Sequence, residues 1–75
     1  MVKAGQIYRT PITHYLMCVT YVEEDKISYP FNVVHTVYTD GEFCQFFEND
    51  IEGMELIAEY PTWQEAINSE EFKVE

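Results

Sequence analysis

The chain has 75 residues, with 14 acidic and 4 basic side chains, a net charge of −10 and 12 aromatics. A chain this short buries only about 60% of its unfolded surface, which leaves no room for a core plus a deep substrate cleft. Residues 1–75 therefore read as one domain, and length alone argues against an enzyme. The charge is uneven: through residue 22 there are Lys3 and Arg9 and no acid, and all 14 acids follow from residue 23 with Lys26 and Lys73. A field of that sign repels nucleic-acid phosphates and anionic membranes, so no direct nucleic-acid or membrane partner is expected.

In chain order, Gly5 to Thr10 reads as a first strand, stopped by Pro11, which cannot donate to a ladder. His14 to Val22 is the second. Its apolar residues fall on both parities, Leu16, Cys18 and Val22 against Tyr15, Met17, Val19 and Tyr21, the pattern of a strand covered on both faces or strongly bent. Glu23 to Lys26 is a charged loop, and Pro30 restricts Tyr29 to an extended conformation. Phe31 to Glu48 is a β-hairpin, the stretch around which the rest should pack. Asp40-Gly41 supplies the turn signal, since both central residues of a type I′ turn need positive φ. A two-residue loop there sets Tyr38 opposite Phe43, His35 opposite Phe46 and Val34 opposite Phe47. Val34, Tyr38, Phe43 and Phe47 then share one face, and Val37, Cys44, His35 and Phe46 the other. With both faces apolar, the hairpin should be central in the sheet.

Asn49 to Gly53 reads as a turn-rich connection. Met54 to Tyr60 is a strand, because Gly53 and Pro61 bracket too few residues for a typical helix. Leu56 and Ala58 should face one way and Ile57 the other. One short helix follows. Thr62 with Glu65 is a capping box, and Trp63, Ala66 and Ile67 share a face. Phe72 to Val74 alternates as a short edge strand would. The fold class expected is mainly β, small α+β. Five antiparallel strands form an SH3-like barrel or a curved sheet, with one short C-terminal helix; an open sheet with the helix across one face is the second arrangement.

Few motifs carry chemistry. His14 and Cys18 lie about 13 Å apart along a strand at roughly 3.3 Å per residue, too far to share a zinc ion. Both cysteines sit in apolar strand runs, where a thiol's pKa rises and its reactivity falls. His35 reads as a half-buried residue beside Cys44. Gly5, Gly41 and Gly53 are too far apart for a phosphate loop, and Asn49, Asp50 and Glu52 do not match a calcium loop. No metal or other cofactor is expected. The opening nine residues hold no apolar signal core, and no apolar run approaches the roughly 20 residues of a membrane span. Cytoplasmic residence is the expectation.

One charged pattern stands out. Glu48, Asp50 and Glu52 are spaced by two, and Glu55 and Glu59 follow. In an extended segment such residues point the same way about 6.6 Å apart and present a row of carboxylates in the manner of a phosphate backbone. Beside it, Tyr8, Tyr15, Tyr21, Tyr29 and Tyr38 are candidate interface residues, with Phe43 at the hairpin.

The opening Val2-Lys3-Ala4-Gly5-Gln6-Ile7-Tyr8-Arg9 and the stretch Tyr60-Pro61-Thr62-Trp63-Gln64-Glu65-Ala66-Ile67 resemble the ends of small acidic proteins of phages and prophages of Gram-positive bacteria. A basic opening leading to G-x-I-Y is also similar to SH3-like barrels such as the MazF toxin family, but this chain is shorter, acidic and without a basic RNA-facing surface, so that activity is not carried over. The phage resemblance implies a protein that binds and blocks a host enzyme or defence protein.

The function expected is accordingly a non-enzymatic acidic binding protein. It would inhibit a host protein at a basic site, with nucleic-acid mimicry as one route, through Glu48, Asp50, Glu52, Glu55, Glu59, Tyr38 and Phe43. The alternative is an interaction module or self-assembling structural protein that uses an aromatic patch or a sheet edge.

Overall fold

The computed structural model describes residues 1–24 and 32–73. The elements are β1 (Gln6–Arg9), β2 (Leu16–Glu23), β3 (Val33–Tyr38), β4 (Phe43–Phe47), α1 (Glu48–Glu52), β5 (Glu55–Glu59) and α2 (Trp63–Ile67). All five strands are antiparallel and form one sheet in the order β4-β3-β2-β1-β5. The chain is therefore mainly β. β4 and β5 are the two edges, so the sheet stays open and does not close into a barrel. The charged-loop residues Asp25 and Lys26, the lead-in Ile27 to Pro30, Phe31 and Val74 lie outside the described residues.

The described residues contain two helices, not one. Glu48 to Glu52, expected as turn and extended chain, winds into α1 and drops Ile51 into the core with no exposed surface. Burying a side chain of that size contributes about 1.5–3 kcal/mol, which outweighs the weak propensity of so short a helix. α2 follows the capping box: Thr62 Oγ1 accepts from Glu65 N at 3.2 Å, and Ala66 is buried. Phe72 and Lys73 are not strand.

A hydrophobic cluster lies on each side of the sheet. Met17, Val19, Val34 and Tyr8 pack with Ile51 under α1. Ile7, Leu16, Cys18 and Val37 pack with Ala66, and Trp63 and Ile67 lean on them from α2. The central strands β2 and β3 are thus covered on two sides, as their double-parity apolar pattern requires.

Three irregularities decide which side chain faces where. The hairpin turn is a three-residue loop, Thr39-Asp40-Gly41. Gly41 N donates to Tyr38 O at 3.0 Å, Tyr38 N donates to Glu42 O at 2.8 Å, and Gly41 has φ +91°. Glycine still supplies the positive φ, but as the bulge residue after a type I turn. The register is one residue off the two-residue expectation: Val37 faces Phe43, Thr36 faces Cys44, His35 faces Gln45 and Val34 faces Phe46. A one-residue slip moves side chains to the opposite face, so Tyr38 and Phe43 lie on opposite sides of the sheet, and so do His35 and Cys44.

The second irregularity is in β2, whose register with β3 shifts between Val19 and Tyr21. Tyr21 thereby joins the face of Cys18, and Val22 that of Met17. The third is between β1 and β5, where the register shifts between Ile7 and Tyr8. Ala58 faces Ile7 and Leu56 faces Tyr8, so Leu56 and Ala58 do not share a side. Ile57 and Ala58 both pack on the α2 side. Finally, β3 is internal as expected, but β4 is a half-exposed edge.

Candidate functional site

The acids come first. In a helix, residues two apart lie about 200° around the axis. Glu48, Asp50 and Glu52 on α1 therefore do not form the row of equally directed carboxylates that an extended chain would give. Glu48 is half-buried, and its carboxylate accepts from Val2 N at 3.3 Å and Asn32 Nδ2 at 3.0 Å. Glu59 on β5 accepts from Gln6 Nε2 at 2.8 Å and lies 3.5 Å from Lys3 Nζ. The Gln6 hydrogen bond holds its carboxyl below the ordinary carboxylate range; its slight burial opposes this and Lys3 adds to it. Gln6 uses both ends of its amide, since its Oε1 accepts from Lys3 N at 3.0 Å and from the Tyr8 hydroxyl at 2.8 Å.

Tyr8 is buried, not an interface residue. Burial pushes its pKa up, and the charges of Glu59, Glu52 and Glu48 push it further. Two of the five acids, Glu48 and Glu59, thus tie the N-terminal segment to the sheet. Asp50, Glu52 and Glu55 stand exposed at the surface.

The aromatics divide between two places. On the α1 side, Tyr38 is half-buried and meets exposed Tyr15 edge to face, with ring centroids 6.1 Å apart. These rings line a groove of about 510 Å³ with Thr13, His14, Asp40, Glu42 and Lys73. His14 adopts φ +60° in the connection from β1 to β2, where His14 N donates to Thr10 O at 2.9 Å. Asp40 Oδ1 accepts from Glu42 N at 2.9 Å, which holds both acids at the rim.

On the α2 side, beyond the reach of that helix's cluster, a row runs across three strands. Tyr21 stacks on His35 with ring centroids 5.6 Å apart, and Gln45 Nε2 pairs with His35 Nδ1 at 3.3 Å. Phe43 and Phe47 on β4 stand on either side of Gln45. Phe43 is 80% exposed, Tyr21 58% and Phe47 38%. An uncharged aromatic surface on a chain of this charge is the least expected feature of the exterior, since isolated exposed apolar residues are common but grouped ones mark contacts. Acids border it: Asp40 and Glu42 precede β4, and Glu48 and Asp50 follow it.

Cys18 is fully buried, and burial pushes its thiol up to about 11. Among the described residues no three of His, Cys, Asp and Glu converge as a metal site would need. No described helix is long and apolar enough to cross a membrane. Of the residues singled out by sequence, Phe43 reaches the exposed face and Tyr38 the groove, while Tyr29 lies outside the described residues. The residues missed are His35, Gln45 and Phe47 as parts of the same face. Their grouping depends on the turn and bulge registers, although the uncharged run FCQFF between acids was readable.

No family model, curated protein or solved structure matches the chain.

Proposed function

We propose that the chain is a non-enzymatic acidic binding protein that engages a basic surface on another protein. The observation that carries this is the exposed aromatic face that runs across β2, β3 and β4, bordered by carboxylates at both ends of β4. Aromatic side chains supply the desolvated anchors of an interface. Covering a Phe as exposed as Phe43 regains about 1.5–3 kcal/mol. The carboxylates steer a basic partner and repel acidic competitors. The likeness to small acidic phage proteins points to a host nucleic-acid-processing or defence protein as the class of target, met in the host cytoplasm. Because α1 breaks the acidic row, charge acts here through steering and rim contacts, with no imitation of evenly spaced phosphates.

The test is capture from a Gram-positive host lysate, with partners identified by mass spectrometry. A stoichiometric basic partner should be held at low salt and released at high salt. It should be lost with Glu42→Lys/Asp50→Lys/Glu52→Lys and with Phe43→Ser, while both variants unfold as the parent does. Binding that survives the triple reversal at low salt removes the reading.

A further inference from the structure

We propose that β4 is an acceptor edge for an extended segment of the partner, seven residues long, with a basic residue at each end and apolar residues just inside them. This rests on the reading above and names the partner's chemistry and register.

The first ground is the edge itself. Edge strands are normally protected by charge, Pro or a covering element, because their outer N–H and C=O groups can pair with another chain. β5, the opposite edge, carries Glu55 and Glu59 within ELIAE. β4 reads FCQFF, without charge or Pro. Its orientation follows from two hydrogen bonds, Tyr38 N to Glu42 O at 2.8 Å and Glu48 N to Asn32 O at 2.9 Å. Antiparallel ladders alternate, so Glu42, Cys44 and Phe46 turn their main-chain groups toward β3. Phe43 and Gln45 turn theirs outward.

The second ground is charge, and it decides the occupant. An antiparallel second copy centred on Gln45 would set Glu42 against Glu48 at both ends of β4. A parallel copy in register would set each acid against itself. Like charges directly opposite are destabilising, and each chain carries −10. Self-pairing is thus disfavoured by the same acids that favour a strand with Lys or Arg opposite Glu42 and Glu48.

Alternation places the remaining side chains. Phe43, Gln45 and Phe47 share one face, and the residues opposite them should be apolar. Glu42 shares the other face with Tyr38. A basic residue opposite Glu42 reaches the rim of the groove, where the Asp40 carboxylate and the Tyr15 and Tyr38 rings attract a cation, in competition with Lys73, which lines the same groove and pairs with Glu70 at 2.9 Å. Glu48 already accepts from Val2 and Asn32, so the Glu42 end discriminates more strongly.

The probe is the peptide acetyl-Lys-Val-Thr-Val-Thr-Val-Lys-amide, tagged for fluorescence anisotropy, beside the same peptide with Glu at both ends. The Lys peptide should bind, and the Glu peptide at least about tenfold more weakly, a difference of 1.4 kcal/mol. Amide exchange at Gln45 should slow in the complex. Gln45→Pro removes an outward donor at a place where edge strands accept Pro, and Phe43→Lys removes an anchor; each should weaken binding about tenfold or more. Should Gln45→Pro unfold the domain, exchange at Gln45 in the parent protein together with Phe43→Lys decides. Equal affinity for the two peptides, an unprotected Gln45 amide in the complex, or a dimer of the free chain formed through β4 overturns the proposal. Capture of a basic partner unaffected by Gln45→Pro and Phe43→Lys also overturns it, while the acidic-binding function stands. A β4-dependent peptide complex with no partner that needs the exposed acids leaves the edge and removes the wider function.

Discussion

Gly5 and Gly41 both have positive φ, +97° and +91°, yet alanine should affect them very differently. At Gly41 an added Cβ meets nothing within 4 Å. The cost of Gly41→Ala is then the conformational one, about 1–2 kcal/mol for an L-residue in the left-handed region. At Gly5 the same Cβ would lie 2.2 Å from Tyr60 O and 3.1 Å from Tyr60 C. β5 must move away, and with it the hydrogen bond from Tyr60 N to Gly5 O, now 3.0 Å. Forced overpacking costs about 1–3 kcal/mol and the weakened hydrogen bond about 1, so with the conformational cost Gly5→Ala should cost about 3–6 kcal/mol in all. Alanine also stiffens the unfolded chain, by the same amount at either site, so that effect cancels in the comparison. The expected difference between the variants is about 2–4 kcal/mol, against a total stability of roughly 4–11 for a domain of this length. Urea unfolding followed by tyrosine and tryptophan fluorescence reads it as a midpoint difference of about 2–4 M, at a slope of about 1 kcal/mol per molar. Two variants within about 0.5 kcal/mol of each other would refute the close approach of Gly5 to β5.

Other consequences are checked by simple means. With its thiol near 11, Cys18 holds about one thiolate in a thousand at pH 8, and it should alkylate only as fast as the protein unfolds. Modification of Cys18 in folded protein at the rate of a free thiol would contradict its burial. Glu59, held below its ordinary 4.5 chiefly by Gln6, contributes stability that is present above that value and lost as pH falls through the folded one. Glu59→Gln should therefore destabilise at neutral pH and match the parent in acid, and a stability gap constant with pH would exclude this role. Thr62→Ala removes the acceptor for Glu65 N and should cost about 1 kcal/mol in thermal or urea unfolding. Phe43→Ser should change stability by less than about 0.5 kcal/mol, because Phe43 is already 80% exposed.

The parts legible in the sequence are those set by local chemistry. The Thr62 and Glu65 pair marks a helix start whatever surrounds it. The double-parity apolar runs of β2 and β3 announce strands with two covered faces. What escaped depends on a single residue of register. Gly41 satisfies a two-residue and a three-residue loop equally well, and only the second separates Tyr38 from Phe43. The bulges beside Thr20 and between Ile7 and Tyr8 leave no mark in residue type, yet they move Tyr21 and Leu56 across the sheet. α1 escaped because Glu48 to Glu52 has weak helix signals, and the pull comes from the pocket that receives Ile51. The acids are thus plain in the sequence but their alignment is not, and the exposed face depends on where the bulges fall.

The pairing of β1 with β5 also constrains the order of events during synthesis. β1 to β4 form a meander of neighbouring hairpins, each closing a short loop, whereas Ile7 must find Ala58 across most of the chain. Local pairings form early and distant ones late. Until residues 55–59 leave the ribosome, the outer side of β1 lacks its partner strand, with Ile7 open on the side that α2 will cover. The nascent chain is then most exposed to mispairing at β1, the strand that is best protected in the finished fold.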